Sequence, residues 1–149
     1  IIGESSRLKR SVSCSGRGSL VMGCRCVVNM GTHFDVTQDV IVRNDVVFGG
    51  RFVEVWTHGY DWLRNKLEGP VFIASKVYIG SGVKIMPAVT LSENIAIGAG
   101  TVVSKSVTQA EVLVVSQRQE LKPMRPLIEC NSYSQNEVGE NVVLRGRGV

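Results

Sequence analysis

Between residues 73 and 107 an aliphatic residue returns at every sixth position: Ile73, Ile79, Ile85, Leu91, Ile97 and Val103. The fifth place of each six is aliphatic or Thr, at Val77, Val83, Val89, Ile95, Thr101 and Val107. This period is neither the 3.6 of an amphipathic helix nor the 2 of a half-buried strand, and a repeat sets the architecture before any local propensity does. A strand of about four residues with a two-residue turn rotates the chain by about a third of a circle. Three sixes then close one triangular coil, first places point inward, and successive coils stack at the ~4.8 Å strand spacing. Small residues after the inward aliphatic, as at Gly80 and Gly98, read as allowing a tight corner. An antiparallel sandwich would need turn signals every ~8–12 residues and strict alternation, and residues 73–107 carry neither. The expected fold class is all-β, a parallel β-helix.

The N-terminal part follows the same period less cleanly. Ile2, Leu8, Cys14, Leu20 and Cys26 fall at intervals of six, with Val12, Cys24 and Met30 at fifth places. The phase slips between residues 32 and 41, resumes at Val42 and Phe48, and breaks again between 57 and 70; the slips read as loops. At 18 residues per coil the 149 residues make roughly eight coils at most. The expected organisation is a β-helix over 1–107 and a C-terminal extension over 108–149, packing on the β-helix or on a neighbouring subunit. Within that extension Pro123, Pro126 and the polar run 131–136 are unlike the repeats.

Composition narrows the class further. A length of 149 residues suits about one domain. The chain is 44% hydrophobic and 20% charged, ordinary for a globular protein. Seventeen Lys and Arg against 13 Asp and Glu leave +4, which suits a phosphate-bearing ligand but not a dedicated nucleic-acid face. No apolar run approaches the ~18 residues of a membrane helix, so no membrane partner is expected. The first residue is Ile rather than Met, as in a processed or partial chain. Four cysteines, Cys14, Cys24, Cys26 and Cys130, are too few and too closely spaced for a zinc pair or a disulfide framework. They read as reduced cysteines in a cytoplasmic protein, and no metal is expected.

The runs Ile79-Gly-Ser-Gly-Val-Lys-Ile-Met-Pro-Ala-Val-Thr-Leu and Ile97-Gly-Ala-Gly-Thr-Val-Val-Ser-Lys-Ser-Val resemble the hexapeptide-repeat acyltransferases. The galactoside and maltose O-acetyltransferase branch, with its sugar- and antibiotic-acetylating relatives, is the most similar. The resemblance covers about residues 20–107. It implies a left-handed parallel β-helix, a homotrimer with active sites between subunits, and acetyl-CoA as acyl donor. One departure stands out: the Gly-x-Pro-Ala stretch that commonly follows the last repeats is absent after residue 107.

Only two histidines are present, His33 and His58. Imidazole can take a proton from a hydroxyl or amine at neutral pH, which acyl transfer from a thioester requires. His58, in Thr57-His58-Gly59 where the repeat breaks, matches the family's general base; taken alone, it reads rather as a surface-loop histidine beside two tryptophans. Glu54, Asp61 or a backbone carbonyl could orient it. The resemblance also places Asn29 and Asp61 against the acceptor, and Ser81, Ala99, Ser104 and Lys105 against the donor, with Lys105 as a point charge for a phosphate. His33 reads as a polar corner residue.

The expected function is therefore an acetyl-CoA-dependent O- or N-acetyltransferase for a sugar or other small hydroxylated or amino acceptor. The alternative is a non-catalytic β-helix serving assembly or regulation. A zinc hydrolyase of the carbonic anhydrase kind, on the same fold, would need a third histidine that the chain lacks.

Overall fold

The computed structural model describes residues 1–61 and 63–115. Its strands, two or three residues long, form three parallel walls and one antiparallel pair. The first wall stacks Arg7–Leu8, Val27–Val28, Val47–Phe48, Tyr78–Ile79, Ala96–Ile97 and Leu113–Val114. The second stacks Ser13–Ser15, His33–Asp35, Glu54–Val55, Lys84–Ile85 and Val102–Val103. The third stacks Leu20–Met22, Val40–Val42, Val71–Ile73 and Thr90–Leu91. The chain visits the walls in strict rotation and makes a left-handed parallel β-helix of about 5 turns. The hairpin of His58–Tyr60 with Lys66–Glu68 projects from it. No helix of the described residues is long and apolar enough to cross a membrane.

Inward positions form the core. Val28, Phe48, Ile79 and Ile97 come from the first wall, Phe34, Val55, Ile85 and Val103 from the second, and Val42, Ile73 and Leu91 from the third; all are buried. A second buried row sits two residues earlier, at the fifth places: Cys26, Val46, Val77 and Ile95 before the first wall, Val40, Val71 and Val89 before the third. Each fully buried aliphatic side chain stabilises the fold by about 1.5–3 kcal/mol, and β-branched residues pack well when stacked on a flat wall.

Coil length is not uniform. Arg7 pairs with Val27 and Leu20 with Val40, 20 residues on, whereas Tyr78 pairs with Ala96, 18 on. The two extra residues enter the corner between the second and third walls, at 15–19 and 35–39. They lengthen the inward spacing to eight, Phe34 to Val42. Leu20 and Cys26, expected at first places, therefore occupy fifth places before Met22 and Val28. Cys14 is exposed and Cys24 half-buried. The periodicity hides this slip because an offset of two moves an apolar residue from one buried row to the other. The wider coils carry Phe34 and Phe48, edge to face with centroids 5.3 Å apart, where the narrower coils carry Ile and Val.

The corners also work differently from the expectation. The left-handed residue is the fourth of each six: Lys76 (φ 59°), Gly82 (65°), Ala88 (62°), Asn94 (54°) and Gly100 (71°). Gly80, at a second place, has no positive φ. A Cβ there would lie 2.6 Å from the Ala99 backbone nitrogen, so this glycine serves close stacking of one coil on the next. Of the C-terminal extension, Leu113–Val114 continues the first wall. Residues 116–149, with Cys130, lie outside the described residues.

Candidate active site

The corner between the second and third walls holds the most densely bonded polar group of the described chain. Asp35 ends a second-wall strand and is 2% exposed. Its Oδ1 accepts from the Thr37 backbone N–H (3.1 Å) and hydroxyl (2.8 Å). Its Oδ2 accepts from the backbone N–H groups of Thr57 (2.8 Å) and His58 (2.9 Å) and from the Thr57 hydroxyl (3.0 Å). The same Oδ2 lies 2.7 Å from His58 Nδ1. Burial pushes this carboxyl up, but the Thr57 amide, the Thr37 and Thr57 hydroxyls and His58 outweigh it and hold the group well below the usual carboxylate range.

An ionised carboxylate only accepts, so the Asp35 contact puts the proton of a neutral His58 on Nδ1. Nε2 then carries the free lone pair, and no described residue bonds to it. Thr37 Oγ1 stands 3.0 Å from the same Nδ1 and fixes the ring further. The side chain is 32% exposed, so the ring is partly open to solvent. A histidine held in one tautomer by a buried carboxylate, with its other nitrogen open, is equipped to accept a proton.

Sequence reasoning looked for the orienting acid among linear neighbours, and neither acid named there hydrogen-bonds to His58. Glu54 pairs with Lys84 (3.0 Å) and accepts from Trp56 Nε1 (3.0 Å). Asp61 closes the hairpin tip, accepting from the Leu63 and Asn65 backbone N–H groups and from Asn65 Nδ2. Asp35 was missed. The available signal was distance along the coil: 23 residues before His58 is about one coil, hence the same corner.

The remaining residues divide between two corners. Ser104 joins Leu67, Glu68, Met86, Pro87 and Ala88 around a recess of about 330 Å³ beneath the hairpin, on the His58 corner. Lys105 follows it along the same corner, beside a shallower recess. Asn29, Ser81 and Ala99 lie at the corner between the first and second walls. The Ser81 hydroxyl is engaged there, accepting from Arg51 N–H (3.1 Å) and donating to Arg51 O (3.0 Å). One chain therefore does not bring Asn29, Ser81 and Ala99 to His58. His33 lies on the second wall, bonded to Ser13 (2.9 Å) and Ser15 (3.3 Å). Among the described residues no group of three His, Cys, Asp or Glu side chains could hold a metal ion.

No protein-family profile matches the chain. No curated protein matches it by sequence. Solved structures do match. A hexapeptide-repeat acetyltransferase from Vibrio cholerae, complexed with acetyl coenzyme A, superposes with TM-score 0.70 at 22% identity, over 76% of this chain and 64% of that one. A galactoside acetyltransferase in complex with coenzyme A gives TM-score 0.65 at 23% identity, over 77% and 60%. A maltose O-acetyltransferase from Clostridium difficile gives 0.50 at 21%, over 78% and 62%. The chain has the fold of the hexapeptide-repeat acetyltransferases. It spans between 60% and 64% of the length of these three hexapeptide-repeat structures.

Proposed function

We propose that the protein is a cytoplasmic acetyltransferase that moves an acetyl group from acetyl-CoA to a hydroxyl or amine of a small acceptor. The observation that carries this reading is the Asp35–His58 pair, which leaves Nε2 without a partner among the described residues. His58 Nε2 takes the acceptor proton as the oxygen or nitrogen attacks the thioester carbon. The tetrahedral intermediate collapses with loss of the C–S bond, and the proton passes to the leaving thiolate. Asp35 stabilises the imidazolium formed in between and holds the ring in place.

In the same reading the protein works as a homotrimer. The residues that the family resemblance assigns to the site lie at two corners of one chain, so a second copy supplies the corner that faces His58. A threefold axis parallel to the β-helix would keep heights matched. Asn29 follows Val28 in the coil that also holds Asp35, so Asn29 of one copy meets the acceptor at the level of His58 in the next. Ser81, Ala99, Ser104 and Lys105 lie further along, where the extended donor would run, with Lys105 toward its phosphates. Asp61 acts at this site through the hairpin tip that it closes.

The test is coenzyme A release from acetyl-CoA across a panel of sugars and amino sugars, with calorimetric binding of acetyl-CoA alongside. His58→Ala should lower turnover by about 10²–10⁴-fold with acetyl-CoA affinity retained. Lys105→Ala should weaken the donor instead. Unchanged turnover in His58→Ala removes the base, and no donor binding at millimolar concentration favours a non-catalytic assembly role.

A further inference from the structure

Among the described residues, the corner between the first and second walls carries no acidic residue. Its successive turns read Lys9-Arg-Ser-Val, Asn29-Met-Gly-Thr, Gly49-Gly-Arg-Phe-Val, Gly80-Ser-Gly-Val and Gly98-Ala-Gly-Thr. Charge and small residues are separated along it: the cations sit in the first three turns and the uncharged small residues beyond. In those first three turns the corner opens into a recess of about 550 Å³, and Lys9, Arg10, Arg51 and Asn29 line it together with the backbone of Gly49-Gly50. None of the three cations forms an ion pair among the described residues.

Three unpaired cations converging on one concavity are mutually repulsive, and an anion relieves that repulsion. Two of them are guanidiniums, whose planar donor fork fits the oxygens of a phosphate, sulfate or carboxylate. Asn29 is half-buried and adds a neutral donor and acceptor. Arg51 is held by its backbone, bonded both ways to the Ser81 hydroxyl and accepting from Gly82 N–H (2.9 Å). The recess lies in the same coils as Asp35 and His58, well before the turns that carry Ala99, Ser104 and Lys105.

We propose that this recess is an anion-binding subsite and that the molecule acetylated carries a phosphate, sulfate or carboxylate group, which Arg10, Arg51 and Lys9 hold while its hydroxyl or amine meets His58. The inference rests on the trimeric acetyltransferase reading above, and its test separates the two.

The full chain, labelled with ¹⁵N, is titrated with inorganic phosphate, and acetyl-CoA affinity is measured on the same samples. Saturable shifts of the Gly49 and Gly50 amides at millimolar phosphate are expected. Arg10→Gln and Arg51→Gln should each weaken them about tenfold or more with acetyl-CoA affinity unchanged. All three cationic side chains are exposed, so the variants should fold normally. Absence of shifts at these amides, or wild-type phosphate affinity in both variants, overturns the subsite. A tenfold loss of acetyl-CoA affinity in the variants assigns the cations to the donor's phosphates and overturns the anionic acceptor. If the wild type binds phosphate here but no acetyl-CoA, the anion site stands and the acetyltransferase reading, with the acceptor role, falls.

Discussion

Asp35 Oδ2 lies 2.7 Å from His58 Nδ1 although 23 residues separate the two in sequence. One carboxylate thereby orients the ring and, through the Thr57 and His58 amides, fixes the point at which the chain leaves the β-helix for the hairpin. Asp35→Asn keeps the shape and removes the charge, and its amide can present a donor where the histidine needs an acceptor. We expect acetyl transfer to fall about 10²–10⁴-fold in kcat, with the KM for acetyl-CoA nearly unchanged. A merely structural role would move both together, so steady-state kinetics on folded variant decides.

The same carboxylate makes stability depend on pH. Its pKa in the folded protein lies below the ordinary unfolded value of ~3.9. The unfolded chain therefore binds more protons between those values, and the stabilisation is fully present above the unfolded pKa and drains as pH falls below about 4. Urea unfolding of the wild type between pH 6 and 2.5 should show the midpoint falling in the acid range. Asp35→Asn should be less stable at pH 6 and lose less on acidification. Parallel curves for the two proteins would mean that Asp35 is not the group responsible.

Much of the architecture was legible because a wall needs the same kind of residue at the same place in every coil, and Ile79, Ile85, Leu91 and Ile97 supply it without interruption. His58 was legible for the opposite reason, as it falls where the repeat stops. Asp35 was not, since its partnership depends on the length of a coil rather than on neighbours in sequence. The 20-residue coils obscured that length, and the two apolar rows, two residues apart, let Leu20 and Cys26 mimic an unbroken period of six. The roles of Gly80 and Gly82 also look alike in sequence, as both are glycines flanking one corner. Only the fold separates close packing from a left-handed turn.

Phe34 and Phe48 fill the wider N-terminal coils, fully buried and packed edge to face. Phe34→Ala should cost about 3–5 kcal/mol, and Phe34→Leu distinctly less, by urea titration. A loss below about 1 kcal/mol for the alanine variant would mean that the coil collapses around the gap.

Gly80 and Gly82, separated by one residue, should both be destabilised by a methyl group, but for different reasons and to different extents. At Gly82 the left-handed conformation (φ 65°) costs an L-residue roughly 1–2 kcal/mol, and nothing lies within 4 Å of the added carbon. The equivalent place in another coil is already Ala88, at φ 62°. At Gly80 the conformation is ordinary, but the carbon would stand 2.6 Å from Ala99 N and 2.9 Å from Ile97 O, both backbone atoms of the next coil. Those atoms cannot rotate aside as a flexible side chain would, so relief requires the two coils to separate and their ladder to lengthen, including the 2.8 Å bond from Gly80 N–H to Ile97 O. Gly80→Ala should therefore be the more destabilising of the two, and Gly80→Val worse again, whereas Gly82→Val should suffer mainly from backbone strain. Thermal unfolding of the four variants tests this order. A larger loss at Gly82 than at Gly80 would show that turn conformation, not the approach of stacked coils, selects glycine at this corner.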